Sequence, residues 1–563
     1  VSLAPATRRL VLASLFALGL AVLVIGPTAS GMALVGHPTL DVWAHAWGAD
    51  WFLTELLQGE LPWEVEGAAH GVRRELWYID PLGALLGAPG RLLAGPIVGW
   101  NLQLGLQVAV AGLGGWAWGR SLGGRGWLAA AALATAPFLQ GELWNGVSES
   151  CWVGLVALAG GLAARRSWTA GLLVGLAAVA TPYLAVSAGL LVACVLLMGG
   201  TPVGRRAAGR GRGRMGSRLR LGVLAGAAAL IVAAPHLHLL TDSLVSPESF
   251  VMRPLSHGGF NPAVLRSNAT DPLALVTPGD FWSVPFEGDA WSVAWRRTPY
   301  LGLTLLLLAP FAVLPWRRQR TLAWLWLPVL VGAVASLGPF LWHDGAWVQT
   351  EAGGYWRLPM WWVSEASPIS FDHPMRFVVL PVVVLAGLAD AAVGRLGLLL
   401  VPLVLAEHLL WAPSSWPIAA ADATLPAVHA SLPADGLAVV DLPAEAGTGN
   451  RTNAFLFWQR LHGHPVPYGN KVGAMGVPVP NAAVRSWAAV SKRTTGYIEG
   501  VEPGADLAAA ARELRALGYA RVVLHPELLV RPGDRALHVD AVSAVLGPPT
   551  EVAGALVWDL PAP

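Results

Sequence analysis

Apolar runs of about 17 to 25 residues recur along this chain, long enough to cross a hydrocarbon layer about 30 Å thick as helices. Inside lipid every backbone N–H and C=O must find its partner within the protein, so such runs are read as the helices of a polytopic bundle. Composition agrees. Of the residues 55% are hydrophobic and 13% charged, where an ordinary soluble chain is about 25% charged, and mean hydropathy is +0.54. Net charge is only +2, and the cations are mostly Arg in clusters, so no basic face is offered to nucleic acid. The two cysteines, Cys151 and Cys194, fall in apolar helices and form neither a disulfide framework nor a metal-type spacing.

Positive charge stays on the cytoplasmic side of a membrane, and the basic clusters fall at alternate ends of the apolar runs. Arg8-Arg9, Arg120 to Arg125, Arg165-Arg166, the tract at 204 to 220, WRRQR at 316 to 320 and Arg395 are therefore read as cytoplasmic. This gives about eleven helices, roughly at 10–28, 95–118, 126–140, 151–164, 168–182, 184–199, 221–240, 299–315, 321–341, 375–394 and 396–412. The first run could serve as a signal peptide, but it lacks a tidy small-x-small cleavage site and more spans follow, so an uncleaved helix is expected. Segment 29–94 is read as one long outer loop, 141–150 as a short one, and 241–298 and 342–374 as two more rich in Trp, Pro, Asp and His. Many of the 28 Trp lie at the outer boundary, as an interfacial belt would.

From about Ser414 the composition changes to that of a soluble α/β module. LAVVDLP at 437–443, YARVVLHPE and ALVWDL at 555–560 have strand patterns, and LAAAARELRALG at 507–518 has helical periodicity. The fold class expected is thus mainly α: a membrane domain, residues 1–413, followed by an α/β domain, residues 414–563. An odd number of spans places the latter outside the cytoplasm. His462, His464 and His525 within it are expected at the surface or at strand ends.

Candidate chemistry lies in the outer segments. In HPTLDVWAHAWGADWF, Asp41 and His45 stand at i and i+4 and share a helix face, while Trp43, Trp47 and Trp51 form a separate ridge for headgroups or for the bundle. The alternative is an interfacial helix whose polar residues are merely solvated. Asp50 falls on roughly the opposite side from Asp41. Asp80, before a Pro, is either a site carboxylate or the cap of the following helix. GELWNGVSES places Glu142 and Glu149 close to the hydrocarbon, where charge is costly and often functional, or else both face water. Arg73, Arg74, Arg253, Arg266 and, in FDHPMRFVVLP, Arg376 are planar forks suited to phosphate, although snorkelling to the interface explains such an Arg equally well. His373 precedes Arg376 in that motif.

The stretches LDVWAHAW, LLQGELPW, YIDPLGALLGAP, GPIVGWNLQL, GELWNGVSES and HPMRFVVL resemble integral-membrane glycosyltransferases of the GT-C fold and their bacterial relatives. VVDLP, WQRLHGHPVPYG and LRALGYARVVLHPE resemble the soluble module that closes such chains. The resemblance implies a glycosyltransferase of the bacterial inner membrane. It would move sugar from a polyprenyl-phosphate donor to a glycan, lipid or protein acceptor on the extracytoplasmic side. By position Asp41 inherits the role of general base, with Glu142, Glu149 and Asp80 as further acids. His45, Arg73, Arg253, Arg376 and His373 would contact substrate. No cofactor is expected: a divalent metal is compatible with the pattern but not supported, since no adjacent acidic pair accompanies Asp41. Two other classes fit the sequence. One is a non-catalytic member that binds glycolipid or scaffolds an envelope assembly; the other is a transporter or flippase, for which Asp390, Glu407 and His408 are the intramembrane candidates.

Overall fold

A computed structural model gives the fold. It describes residues 4–38, 40–60, 62, 64–65, 75–76, 80–197, 215–245, 268–277, 298–314, 320–343, 346–366, 371, 373–411, 416–443, 451–468, 506–529 and 533–560. Helix α1 (Pro5–Ile25) is followed by strand β1 (Ala33–Val35) and α2 (Val42–Gln58), then by the short hairpin β2 (Glu64–Val65) and β3 (Glu75–Leu76). The bundle continues with α3 (Pro81–Leu122), α4 (Trp127–Ala134), α5 (Pro137–Asn145), α6 (Val153–Ala164), α7 (Ala170–Ala180), α8 (Pro182–Leu197) and α9 (Met215–Val245). Beyond it come α10 (Leu303–Leu308), α11 (Trp326–Ser336), the hairpin β4 (Trp342–His343) and β5 (Ala346–Trp347), α12 (Pro359–Ala366), α13 (Val379–Val393) and α14 (Gly397–Ala406).

Each of the eleven apolar runs coincides with helix, but the bounds differ from expectation. Three helical segments are long and apolar enough to cross a membrane: Pro5–Ile25, Pro81–Leu122 and Pro374–Trp411. The other apolar helices among the described residues are shorter. The run at 126–140 divides into α4 and α5 because Pro137 cannot continue a helix and instead starts a new one. Segment 29–94 is not a single loop: it contains β1 and α2, and α3 begins at Pro81. The break in α3 falls at Ala94 and Gly95, the latter at φ +87°, where the helix turns sharply.

Close packing of the bundle rests on small residues. A Cβ on Gly114 of α3 would lie 2.5 Å from the carbonyl oxygen of Gly154 of α6, so these backbones touch only because neither residue has a side chain. At the centre, α13 is buried from Val379 to Ala392. The outer faces are apolar instead: Leu15 and Val22 of α1 and Leu398, Leu399 and Leu403 of α14 are exposed, as helices facing lipid require. This is a membrane protein. Its intramembrane polar groups are tied to backbone. Asp390 accepts from Gly126 N (2.7 Å) and Leu128 N (3.1 Å), and Glu407 accepts from Tyr300 Oη (2.6 Å) and Thr304 N (3.1 Å). His408 Nδ1 lies 3.2 Å from Thr135 Oγ1. These groups satisfy helix starts and turns, which is a structural use of buried polarity.

The C-terminal part comprises β6 (Ala420–Asp422), α15 (Ala427–Ser431), β7 (Ala438–Leu442), α16 (Arg451–His462), α17 (Leu507–Ala516), β8 (Tyr519–Leu524), α18 (Asp534–Leu546), β9 (Thr550–Val552) and β10 (Ala555–Asp559). Its sheet has the order β7-β8-β10-β9, with β7 parallel to β8 and the other pairs antiparallel. Strand β6 pairs instead with β1, far away in sequence.

The Trp ridge of α2 meets neither headgroups nor the bundle alone. Trp43, Trp47 and Trp51 are buried, and α16 covers the first two. Trp43 packs against Phe457 and Trp458 at ring distances of 6.0 and 6.3 Å, and Trp47 Nε1 donates to Gln459 Oε1 at 3.3 Å. One continuous apolar core therefore joins the bundle to the C-terminal sheet. Asp50, on the far side of α2 from Asp41, fastens the same junction. Its two oxygens accept from Arg91 Nε of α3 and Arg460 Nε of α16, each at 2.6 Å, and both guanidinium groups also reach Thr54. Removing one partner of a buried ion pair costs about 3–5 kcal/mol because the other charge is left uncompensated. Asp50→Ala is expected to lower the unfolding temperature of the detergent-purified protein and to expose the α16 region to protease; unchanged melting and proteolysis would show that the clamp is not needed for docking.

Candidate active site

The candidate site is built where the chain after α1 is pinned to α3. Asn101 Oδ1 accepts from Val35 N (2.9 Å), its amide donates to the carbonyls of Ser30 (2.8 Å) and Ala33 (2.9 Å), and Trp100 Nε1 donates to Val35 O (3.0 Å). The chain then turns at Gly36, φ +136°, and His37 N donates to Trp144 O at 2.7 Å while its ring stacks on Trp144. A Cβ on Gly146, φ +74°, would lie 2.4 Å from Val42 Cα. Glycine at this point lets the start of α2 rest directly on the segment that carries Glu142 and Glu149.

That contact sets the start of α2 beside the second acidic motif. Asp41 occupies the N-cap position of α2 and is buried at 4% exposure. One turn on, His45 N donates to Asp41 O (3.1 Å), and His45 Nδ1 lies 3.3 Å from Glu149 Oε2. The other oxygen of Glu149 is 3.3 Å from Arg376 Nη2, and Glu142 Oε2 is 3.7 Å from the same nitrogen. Glu142 and Arg376 are buried, Glu149 is partly exposed, and so the water-facing alternative does not hold for Glu142.

Arg376 lies in the single helical turn Pro374–Val378 that leads into α13. Its guanidinium stands 5.5 Å from the centre of the Tyr183 ring, a cation–π contact, and Tyr183 Oη accepts from His373 N at 2.9 Å. Snorkelling is therefore not what this Arg does: it is held inward by two carboxylates and an aromatic face. Tyr183 was not singled out from sequence, where a Tyr after Pro182 in an apolar run carries no periodic signal.

Asp80 is anchored. Its Oδ1 accepts from Gly83 N (2.9 Å) and Trp152 Nε1 (2.8 Å), and its Oδ2 accepts from Gln107 Nε2 (2.8 Å), which also donates to Ser148 O (3.1 Å). It caps α3 and ties that helix to the turn bearing Glu149, so its geometry is that of a support. Arg73, Arg74, Arg253 and Arg266 lie outside the described residues.

His525 stands at a strand end as expected and is buried there, while His464 is buried and not at the surface. His525 directly follows β8 and is buried beside Asp441 of β7 and His429 of α15. Burial opposes ionisation of Asp441, yet the imidazoles of His429 and His525 beside it hold its carboxyl far below the usual range.

No protein-family model matches the chain, and no curated protein matches it. Among solved structures, the arabinofuranosyltransferase AftD from mycobacteria is similar with a TM-score of 0.50 at 15% identity, over 96% of this chain and 39% of that one. The apo oligosaccharyltransferase of Archaeoglobus fulgidus gives 0.45 at 13% identity, over 92% of this chain and 69% of that one. ArnT from Cupriavidus metallidurans gives 0.31 at 14% identity, over 99% of both chains. The likeness to AftD shows a GT-C-like fold. The chain spans about two fifths of the length of AftD.

The charge cluster makes a double-mutant test possible. Arg376→Met leaves Glu142 and Glu149 facing each other without a cation and is expected to cost about 3–5 kcal/mol. Adding Glu142→Gln should restore a large part of that loss, read as the melting temperature of purified protein. Equal stability of wild type and Arg376→Met would mean that the cluster carries no coupling.

Proposed function

We propose that the protein is a membrane glycosyltransferase that moves a sugar from a polyprenyl-phosphate donor to an envelope acceptor on the extracytoplasmic side, with Asp41 as general base. The observation that carries this reading is the convergence of His45, Glu149, Glu142 and Arg376 from three separated sequence motifs, with Asp41 one turn before His45 at the start of α2. The GT-C-like fold supports it, and so do the names of the similar structures, which are transferases of sugars or oligosaccharides. We place the cluster on the outer face by the distribution of basic residues, and the bundle of about eleven helices is read as spanning the inner membrane.

The reaction is an inverting transfer. An acceptor hydroxyl gives its proton to the Asp41 carboxylate as its oxygen bonds to the anomeric carbon. The bond from that carbon to the phosphate oxygen breaks, and its electron pair leaves with the polyprenyl phosphate. Negative charge gathering on the phosphate is met by the Arg376 fork, a geometry that suits bidentate binding. Glu149, the more exposed of the two acids, yields its place on Arg376 to the donor phosphate, while Glu142 keeps the guanidinium oriented. His45 bridges Glu149 and the Asp41 turn and so positions both. The polyprenyl tail remains in lipid throughout, which is what a membrane bundle offers such a donor.

The intramembrane groups do not favour transport. Asp390, Glu407 and His408 each hold backbone or hydroxyl partners rather than an open path.

General-base catalysis contributes about 10² to 10⁴-fold. Membranes containing the Asp41→Asn protein are expected to incorporate radiolabelled sugar from polyprenyl-phosphate donors at least about a hundredfold more slowly than wild type. Full activity in the variant would remove Asp41 from the role of base.

A further inference from the structure

A second cluster of ligating side chains lies far from the acidic site in sequence, inside the C-terminal sheet. His429 of α15, Asp441 of β7 and His525 after β8 converge with their donor atoms within 4.8 Å of one another, and all three side chains are fully buried. His525 Nε2 is 2.8 Å from Asp441 Oδ1, and His429 Nε2 is 3.3 Å from the same oxygen. A tetrahedral zinc site with ligand bonds of about 2.0–2.1 Å has ligand atoms about 3.3 Å apart, so these separations need little adjustment.

The hydrogen bonding is incomplete in a way that asks for a cation. Neither ring nitrogen of His429 has a hydrogen-bond partner among the described residues, and neither does Asp441 Oδ2. A buried imidazole left so is costly. Glu527 Oε1 lies 3.3 Å from His525 Nδ1, a carboxylate beside the ring nitrogen that faces away from Asp441. The carboxylate–histidine–metal arrangement is the ordinary outer support of a ligating imidazole. His462 stacks on His429 with ring centres 4.3 Å apart, but its Nδ1 accepts from His464 N at 3.0 Å. In the neutral ring its other nitrogen thus carries the proton, so His462 is a neighbour and not a ligand.

We propose that His429, Asp441 and His525 bind one divalent cation of imidazole-preferring chemistry, zinc above all, with water completing the coordination. Two imidazoles and a carboxylate suit zinc and disfavour calcium or magnesium, which take oxygen ligands. The ion would staple α15 to both parallel strands, beneath the helix α16 that docks on the bundle. The proposal is independent of the glycosyl-transfer reading, because none of its residues belongs to the acidic cluster.

The test uses the full-length protein in detergent, stripped with chelator, reloaded with zinc, desalted and measured for metal by mass spectrometry. Wild type and His462→Gln should each retain one equivalent of zinc, and cobalt loading should give the visible bands of a four-coordinate ion. His429→Gln and Asp441→Asn should retain almost none, and Glu527→Gln should bind about tenfold or more weakly in competition with a chromophoric chelator. Zinc no higher than the buffer blank in wild type overturns the proposal, as does full retention by folded His429→Gln and Asp441→Asn proteins. The wild-type measurement decides by itself if a variant fails to fold.

Discussion

Arg376 is the cation on which the candidate site depends. A guanidinium taken out of water inside a membrane protein is costly unless it is paired and hydrogen-bonded, and here two carboxylates from a different part of the chain face it over a tyrosine ring. The pairing acts in both directions. Glu142 and Glu149 meet Arg376 on its inward side, and Arg376 could not point inward without such partners. Because the acids sit on α5 and the turn after it while the Arg leads into the central helix α13, satisfying this charge also fixes how those elements meet.

Helix α2 then couples that charge cluster to the rest of the molecule. Its first turn brings His45 to Glu149, with Gly146 providing the close approach. Its opposite face presents Asp50 to two arginines and two tryptophans to α16. One short helix thus carries candidate chemistry on one side and the attachment of the C-terminal sheet on the other. A change at the docking face would be felt at the site through the position of α2, not through any direct contact.

The periodicities that made the chain legible were local ones. Residues 42–58 form the helix read around His45, with Asp41 at its start and Asp50 turned to Arg91 and Arg460, and LAVVDLP, YARVVLHPE and ALVWDL contain strands. What sequence could not supply was long-range. A ridge of Trp43, Trp47 and Trp51 has the same pattern whether lipid or another helix covers it, and α16 lies some four hundred residues away. The same holds for β6, which pairs with β1 rather than with the sheet beside it. Asp80 before a Pro was equally consistent with a cap and a site acid; only its donors, Gly83, Trp152 and Gln107, decide for support. The C-terminal histidines were legible only in part: His525 stands at a strand end, but its burial and that of His464 were not. A lone His in a strand reads as polar surface, and nothing local reveals that three separate segments bring His429, Asp441 and His525 to one buried point. Helix ends within apolar runs were obscured by Gly and Ala, which pack closely but give weak boundary signals.

The central claim is that the Arg376 cluster receives the donor phosphate beside Asp41. It is tested most directly by determining the structure of the wild-type protein in nanodiscs with a polyprenyl-phosphate sugar bound. The account predicts phosphate oxygens within hydrogen-bond distance of the Arg376 guanidinium, Glu149 moved aside, and the anomeric carbon turned toward Asp41. A donor whose phosphate binds elsewhere, with the Arg376–Glu149 pair intact, would contradict it.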